Sequence, residues 1–197
     1  MSLPQLNSAA IEPGVSPPGE FSAEERALLM QLAHESILSA LERRETALDR
    51  PSPHLAEPRG AFTSLYLHGQ LRGCVGYVLP VSALYLAVAD TARAAAFQDT
   101  RFSPVTIEEA RDLQIELSIL SLPQPIAAEA VEIGRHGLLI STGGHRGLLL
   151  PQVPIEHHWD RVTFLEQTCR KAGLPPDAWQ KGAAIEAFTA EVFGEKG

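Results

Sequence analysis

The segment Ala61-Phe-Thr-Ser-Leu-Tyr-Leu67-His68-Gly69-Gln-Leu71-Arg72-Gly73-Cys74-Val75-Gly76-Tyr77-Val78 decides how this chain is read. Ala61, Thr63, Leu65 and Leu67 fall on one face of a strand by period-2 spacing. His68-Gly69 suits a two-residue turn, because glycine accepts positive φ cheaply. Leu71 to Val78 then returns as the second strand of a hairpin. Two glycines inside that strand weaken it and leave gaps, so they belong where a strand bulges or where something approaches its backbone closely. Cys74 stands between them. Arg72 and Cys74 share strand parity and are expected on one face, where a guanidinium favours thiolate over thiol. Such a thiolate serves as nucleophile, redox thiol or metal ligand. The competing reading is a buried cysteine acting as a small hydrophobe.

Working outward, Ser22-Ala-Glu-Glu25 has the capping-box pattern, and Leu28, Leu29, Leu32, Ala33, Ile37 and Leu41 follow at helical spacing up to about Arg44. Arg50-Pro-Ser-Pro-His54 and Glu57-Pro58 read as a stiff connector. After the hairpin, Ser82 is expected to cap a helix through Phe97, Asp99 to Pro104 to form a loop, and Thr106-Ile-Glu-Glu109 to open a short helix. Leu113, Ile115, Leu117 and Ile119 alternate with polar residues in a half-buried strand. Gly137 to Thr142 and Gly147 to Leu150 flank Gly143-Gly144 as a hairpin with a loop longer than two residues. Asp160 caps a helix carrying Val162, Leu165 and Cys169 and closed by Gly173 and Pro175. Ile185 to Phe193 reads as a strand. Helices and hairpins interspersed without βαβ regularity imply an α+β fold with mostly antiparallel sheet.

The chain has 197 residues, 45% of them hydrophobic and 20% charged. That mix excludes a largely disordered, fibrous or coiled-coil protein. The net charge of −8 argues against direct nucleic-acid binding and against an anionic membrane surface. Two cysteines far apart make no disulfide framework, and a reduced, cytoplasmic protein is expected. The proline- and glycine-rich residues 1–20 read as a mobile N-terminal tail, and residues 21–197 as a single domain.

Other segments bear on chemistry. Asp99-Thr-Arg101-Phe102-Ser-Pro104 is either a structural loop lock or an anion clamp in which Arg101 meets a carboxylate or phosphate. Glu116 and Ser118 lie on the polar face of their strand. Gln152, in Leu150-Pro-Gln152-Val153, ends a strand in a turn, where it bonds the backbone or faces a ligand. Glu156-His157-His158 fits no metal-ligand spacing, and Cys169 reads as core. Neither a metal nor a cofactor is expected.

Taken in series, Gly60-Ala-Phe-Thr-Ser-Leu65, Leu71-Arg-Gly-Cys-Val-Gly76, Asp99-Thr-Arg-Phe-Ser-Pro-Val105, Glu116-Leu-Ser-Ile-Leu120, His136-Gly-Leu138, Leu149-Leu-Pro-Gln-Val153 and Lys171-Ala-Gly-Leu174 resemble the AMMECR-one domain family, over roughly Phe21 to Phe193. The resemblance implies two unequal lobes, each with a small antiparallel sheet and packed helices, the larger holding both chain ends. It places a cleft between these subdomains, lined by Leu71, Arg72, Gly73, Cys74 and Gly76. Val75, Tyr77 and the Thr63-Ser64 pair depart from the common pattern, and Tyr77, where a small residue is usual, would narrow the cleft or alter its ligand. The resemblance also implies an association, in bacterial and archaeal members, with a radical-SAM protein and a Memo-like protein, and hence a shared modification pathway; for a eukaryotic relative it implies a regulatory or nuclear protein.

Two functional classes follow. One is an enzyme with Cys74 as candidate catalytic thiolate and Arg72 orienting an anionic substrate. The other is a non-catalytic binding, adaptor or regulatory domain that holds a small molecule, peptide or partner loop in the same cleft. The candidate site residues are common to both: Cys74, Leu71, Arg72, Gly73, Gly76, Asp99, Arg101, Phe102, Glu116 and Gln152.

Overall fold

The computed structural model describes residues 19–47 and 51–195. The expected tail falls mostly outside them, at 1–18. Its last two residues are described, and Glu20 is joined to the body: its N–H donates to Glu191 Oε2 (2.6 Å), and its carboxylate accepts from the nearly buried Arg59.

Two antiparallel sheets carry the chain. Helix α1 (Ala23–Leu41) begins with both reciprocal bonds of the capping box, Glu25 N–H to Ser22 Oγ and Ser22 N–H to the Glu25 carboxylate. Strands β1 (Ala61–Leu67) and β2 (Gln70–Tyr77) form the hairpin, with His68 and Gly69 both at positive φ in its two-residue turn. Helix α2 (Leu84–Phe97) and strand β3 (Leu113–Leu120) follow. The chain then enters a second sheet through β4 (Gln124–Pro125), β5 (Gly137–Thr142) and β6 (His145–Leu149). It continues through the short α3 (Val153–Glu156), α4 (Arg161–Lys171) and β7 (Ala184–Phe188), and returns to the first sheet as β8 (Ala190–Gly194). The strand orders are β2-β1-β3-β8 and β4-β7-β5-β6, each sheet four-stranded.

Each sheet has its own apolar core. The first packs Ala61, Leu65, Ile115, Leu117 and Ile119 under α1 and α2, with Leu29, Ala33, Ile37, Leu84 and Val88. The second packs Leu138 and Ile140 against Phe164, Leu165 and Cys169 of α4. Each fully buried Leu, Ile or Phe contributes about 1.5–3 kcal/mol relative to exposure. Because β1 and β3 turn their apolar positions to the helices, Phe62, Ser64, Tyr66, Glu116 and Ser118 must emerge on the opposite face.

Several expectations change. Ser82 does not cap α2: Ala83 is the N-cap and no side chain caps it, while the Leu84 N–H donates to Glu57 O (2.9 Å), so the connector supplies the acceptor. Thr106 and Glu109 make the reciprocal bonds of a box, but only a 3-10 turn, Glu109–Arg111, follows. The β5–β6 hairpin has a two-residue loop, because Gly143 and Gly144 both take positive φ and Thr142 pairs with His145. The terminal stretch is not one strand. It changes sheets at Thr189, where it is clipped to the outgoing chain by Ser121 N–H to Thr189 O (2.9 Å) and Thr189 N–H to Ser121 Oγ (3.0 Å).

Candidate functional site

The helix-free face of the first sheet carries a row of polar side chains set by strand register. Cys74 stands opposite Ser64, and Ser64 opposite Glu116. Neighbouring strands are about 4.8 Å apart, so thiol, hydroxyl and carboxylate form a transverse line. The Ser64 hydroxyl donates to Cys74 Sγ (3.3 Å), and Tyr66 Oη donates to Glu116 Oε1 (3.4 Å). A cavity of about 340 Å³ opens over this row. Its polar lining is Ser64, Tyr66, Cys74, Glu116, Ser118 and Gln152; its apolar lining is Phe62, Leu120, Leu150, Pro151, Ala190 and Val192. The Leu150–Gln152 turn after β6 thus closes over the face of the other sheet. Gln152 is exposed and is the N-cap of α3, but its side chain makes no cap bond; the turn is held by its main-chain carbonyl, which accepts from the N–H groups of Ile155 and Glu156.

The remaining candidates lie elsewhere. Between Leu65 and Tyr66 the register slips: Leu65 pairs with Gly73 but Tyr66 with Leu71, so Arg72 has no opposite residue. The bulge breaks the alternation on which shared parity of Arg72 and Cys74 depended. Arg72 instead locks the following loop. Its Nε and Nη2 each donate to Glu109 at 3.0 Å, Nη1 donates to Ser103 O (2.8 Å) and Nη2 to Pro104 O (3.3 Å). This guanidinium, only 13% exposed, holds the Glu109 carboxyl below its usual range, assisted by the Thr106 N–H. Four hydrogen bonds to protein acceptors hold Arg72, and it is absent from the cavity lining.

Gly73 and Gly76 have different reasons to be glycine. A Cβ at Gly73 would lie 2.2 Å from the Ala95 carbonyl oxygen, so the close approach is made by α2 itself, along its alanine-rich side. A Cβ at Gly76 would lie 2.2 Å from the Phe62 ring, which covers that glycine on the cavity face. Leu71 is 40% exposed opposite Tyr66. Tyr77 pairs with Ala61 and is absent from the cavity lining.

Asp99 and Arg101 close the free edge of β2 beside the thiol. The Cys74 N–H donates to Asp99 Oδ2 (2.9 Å), and Arg101 Nη2 donates to the Cys74 carbonyl (3.4 Å). Arg101 also grips the Asp99 carboxylate through Nε (2.9 Å) and Nη2 (2.7 Å). The guanidinium and the Cys74 N–H together hold the Asp99 carboxyl well below the usual carboxylate range. Arg101 lies over the Phe102 ring, 5.5 Å from its centroid. The segment is therefore a lock on the Cys74 backbone, with Arg101 engaged by Asp99. Cys169 is fully buried and burial pushes its thiol up. Among the described residues no three His, Cys, Asp or Glu side chains cluster as a metal site.

The spacing of β1 already contained Phe62, Ser64 and Tyr66, since it assigned the alternate residues to the core. Ala190 and Val192 carried no such signal, because they reach the cavity only through the return of β8 to the first sheet.

Comparison with known proteins agrees with this architecture. A protein of Methanosarcina acetivorans is 46% identical over 159 residues, spanning 78% of this chain and 79% of its own length. A Methanopyrus kandleri protein is 39% identical, spanning 90% of this chain and 91% of its own. The crystal structure of an uncharacterized protein from Pyrococcus horikoshii superposes with a TM-score of 0.66 at 38% identity, covering 86% of this chain and 90% of that one. The AMMECR1 family profile matches residues 30–193, and the chain belongs to the AMMECR1 family.

Proposed function

We propose that this protein acts through the cavity over Cys74, Ser64 and Glu116, holding a small molecule or a short peptide segment between two subdomains built on the two sheets. On this reading it is a cytoplasmic component of a modification pathway, working alongside a radical-SAM protein and a Memo-like protein. The observation that carries the reading is the in-register row of thiol, hydroxyl and carboxylate, facing a space of about 340 Å³. Ligand pockets commonly span about 300–1,000 Å³ and combine an apolar lining with a few convergent polar groups.

Cys74 remains the candidate catalytic group, but one observation favours binding over turnover. Its sulfur accepts a hydrogen bond from Ser64, a donor rather than a base. Among the described residues no histidine or carboxylate is hydrogen-bonded to that sulfur, so no side chain stands ready to take its proton. Asp99 and Arg101 support the site from the edge of β2 by holding the Cys74 backbone.

Native-state alkylation tests the reading. Iodoacetamide should modify Cys74, which is partly exposed on the cavity wall, in the folded protein, and reach the buried Cys169 only on unfolding. Mass-spectrometric mapping in which Cys74 reacts no faster than Cys169 would show that the cavity is closed and would sink the proposal.

A further inference from the structure

The charge of the cavity lining points to the class of ligand. Glu116 carries the one formal charge among the residues that line it; the other polar groups are hydroxyls, a thiol and an amide. The side chain of Glu116 has Tyr66 Oη on Oε1 and no cationic partner among the described residues. The two arginines at the β2 edge are both engaged: Arg72 by Glu109 and two carbonyls, Arg101 by Asp99. Neither lines the cavity. The residue facing Glu116 on β8 is Gly194, which has no side chain to reach across to it. A carboxylate on the wall of a part-apolar cavity, with one weak neutral donor and no counter-ion, is a half-made charge pair.

Resting on the reading of this cavity as a ligand site, we propose that its ligand carries a cationic nitrogen, an ammonium or guanidinium, which Glu116 receives. The apolar body of that ligand lies against Phe62, Leu150 and Val192, and its polar end meets Ser118 and Gln152. An anionic ligand would face Glu116 without compensation, which reverses the charge expected from the Arg72 reading of the sequence. The same nitrogen could belong to a free amine or to a lysine side chain of a peptide; the chemistry at Glu116 is shared.

Protection of Cys74 from iodoacetamide tests the assignment with three probes of similar shape: tyramine (cationic), tyrosol (neutral) and 3-(4-hydroxyphenyl)propionate (anionic). Tyramine should protect at about one-tenth the concentration needed for the other two, the loss expected when a charge-assisted hydrogen bond is removed. Nα-acetyl-lysine methylamide, run in parallel, reports whether a peptide side chain is accepted as well as a free amine. Glu116→Gln should bring tyramine down to the level of tyrosol, and Glu116→Asp, which keeps the charge, should retain part of the preference. Circular dichroism checks that both variants fold, and calorimetric titration of tyramine into the wild type gives a second measurement independent of the thiol. Equal protection by all three probes, preference for the propionate, no protection by any, or an unchanged tyramine response in Glu116→Gln would overturn the cationic assignment. Each of these leaves native-state reactivity of Cys74 standing. Failure of Cys74 to react at all, with no calorimetric binding, overturns the ligand site and the cationic assignment together.

Discussion

Gly73 is a position where the structure makes a sharp quantitative demand. An alanine there would put its Cβ 2.2 Å from the Ala95 carbonyl oxygen, whereas ordinary contact begins near 3.4 Å. Strand and helix must separate by about 1 Å, because a close-packed interior has no slack to absorb the overlap. The obstacle is backbone, so no rotamer change relieves it. It also belongs to α2, whose Leu84, Val88, Ala92, Ala95 and Ala96 are all 2% exposed or less. Moving α2 therefore disturbs the whole first core, and the expected cost is about 2–3 kcal/mol, the upper part of the usual range for overpacking. With a urea m-value of about 2 kcal/mol/M, the unfolding midpoint of Gly73→Ala should fall by about 1 M with the slope unchanged. Gly76→Ala is the paired control. Its nearest obstruction is the half-buried Phe62 side chain on the cavity wall, which can yield only by a χ1 change because Cγ itself lies 2.2 Å away, and the Ala61 carbonyl at 2.7 Å limits the relief. Its cost should be smaller, about 1 kcal/mol. If Gly73→Ala is as stable as wild type, or less damaging than Gly76→Ala, then contact with α2 is not why residue 73 is glycine, and the reading of this strand is wrong.

Two further predictions concern pH. Arg101 and the Cys74 N–H depress the folded-state pKa of Asp99, so its stabilisation is fully present above about pH 4 and is lost as pH falls through the folded value. Urea midpoints followed from pH 6 to pH 3 should drop more steeply for wild type than for Asp99→Asn; parallel curves would remove Asp99 from the account. His54 moves the other way: the Glu25 carboxylate, 2.9 Å from its Nδ1, raises its folded-state pKa. Its contribution is present below the ordinary value of about 6.5 and is lost as pH rises through the folded value. Wild type should lose more stability than His54→Gln between pH 6 and pH 8.5, and an NMR titration of the His54 ring should give a midpoint above that of a free imidazole.

How much of this was legible in the sequence follows from the range of the interactions involved. Alternation along Ala61–Leu67 and Leu113–Ile119 assigned the faces of both strands, and hence the side on which Glu116 and Ser118 emerge. The Ser22–Glu25 box, the Asp160 cap and the His68-Gly69 turn were legible for the same reason: each is made by residues within a few positions of one another, whose backbone geometry is set locally. The placement of Arg72 was not legible. One unpaired residue opposite the Leu65–Tyr66 step slips the period of the strand, and Glu109, 37 residues away, captures the guanidinium. The purpose of Gly73 was equally hidden, since only the seating of α2 shows that a helix makes the close approach. The end of the chain makes the same point: Ile185–Phe193 has the composition of one strand, but Thr189 divides it between two sheets, and only that crossing brings Ala190 and Val192 to the cavity that Cys74, Ser64 and Glu116 line. The sequence determined which residues face out from each strand, because alternation is a property of the local backbone; the tertiary structure decided which outward residues share a cavity, because sheet order and a one-residue bulge depend on partners far along the chain.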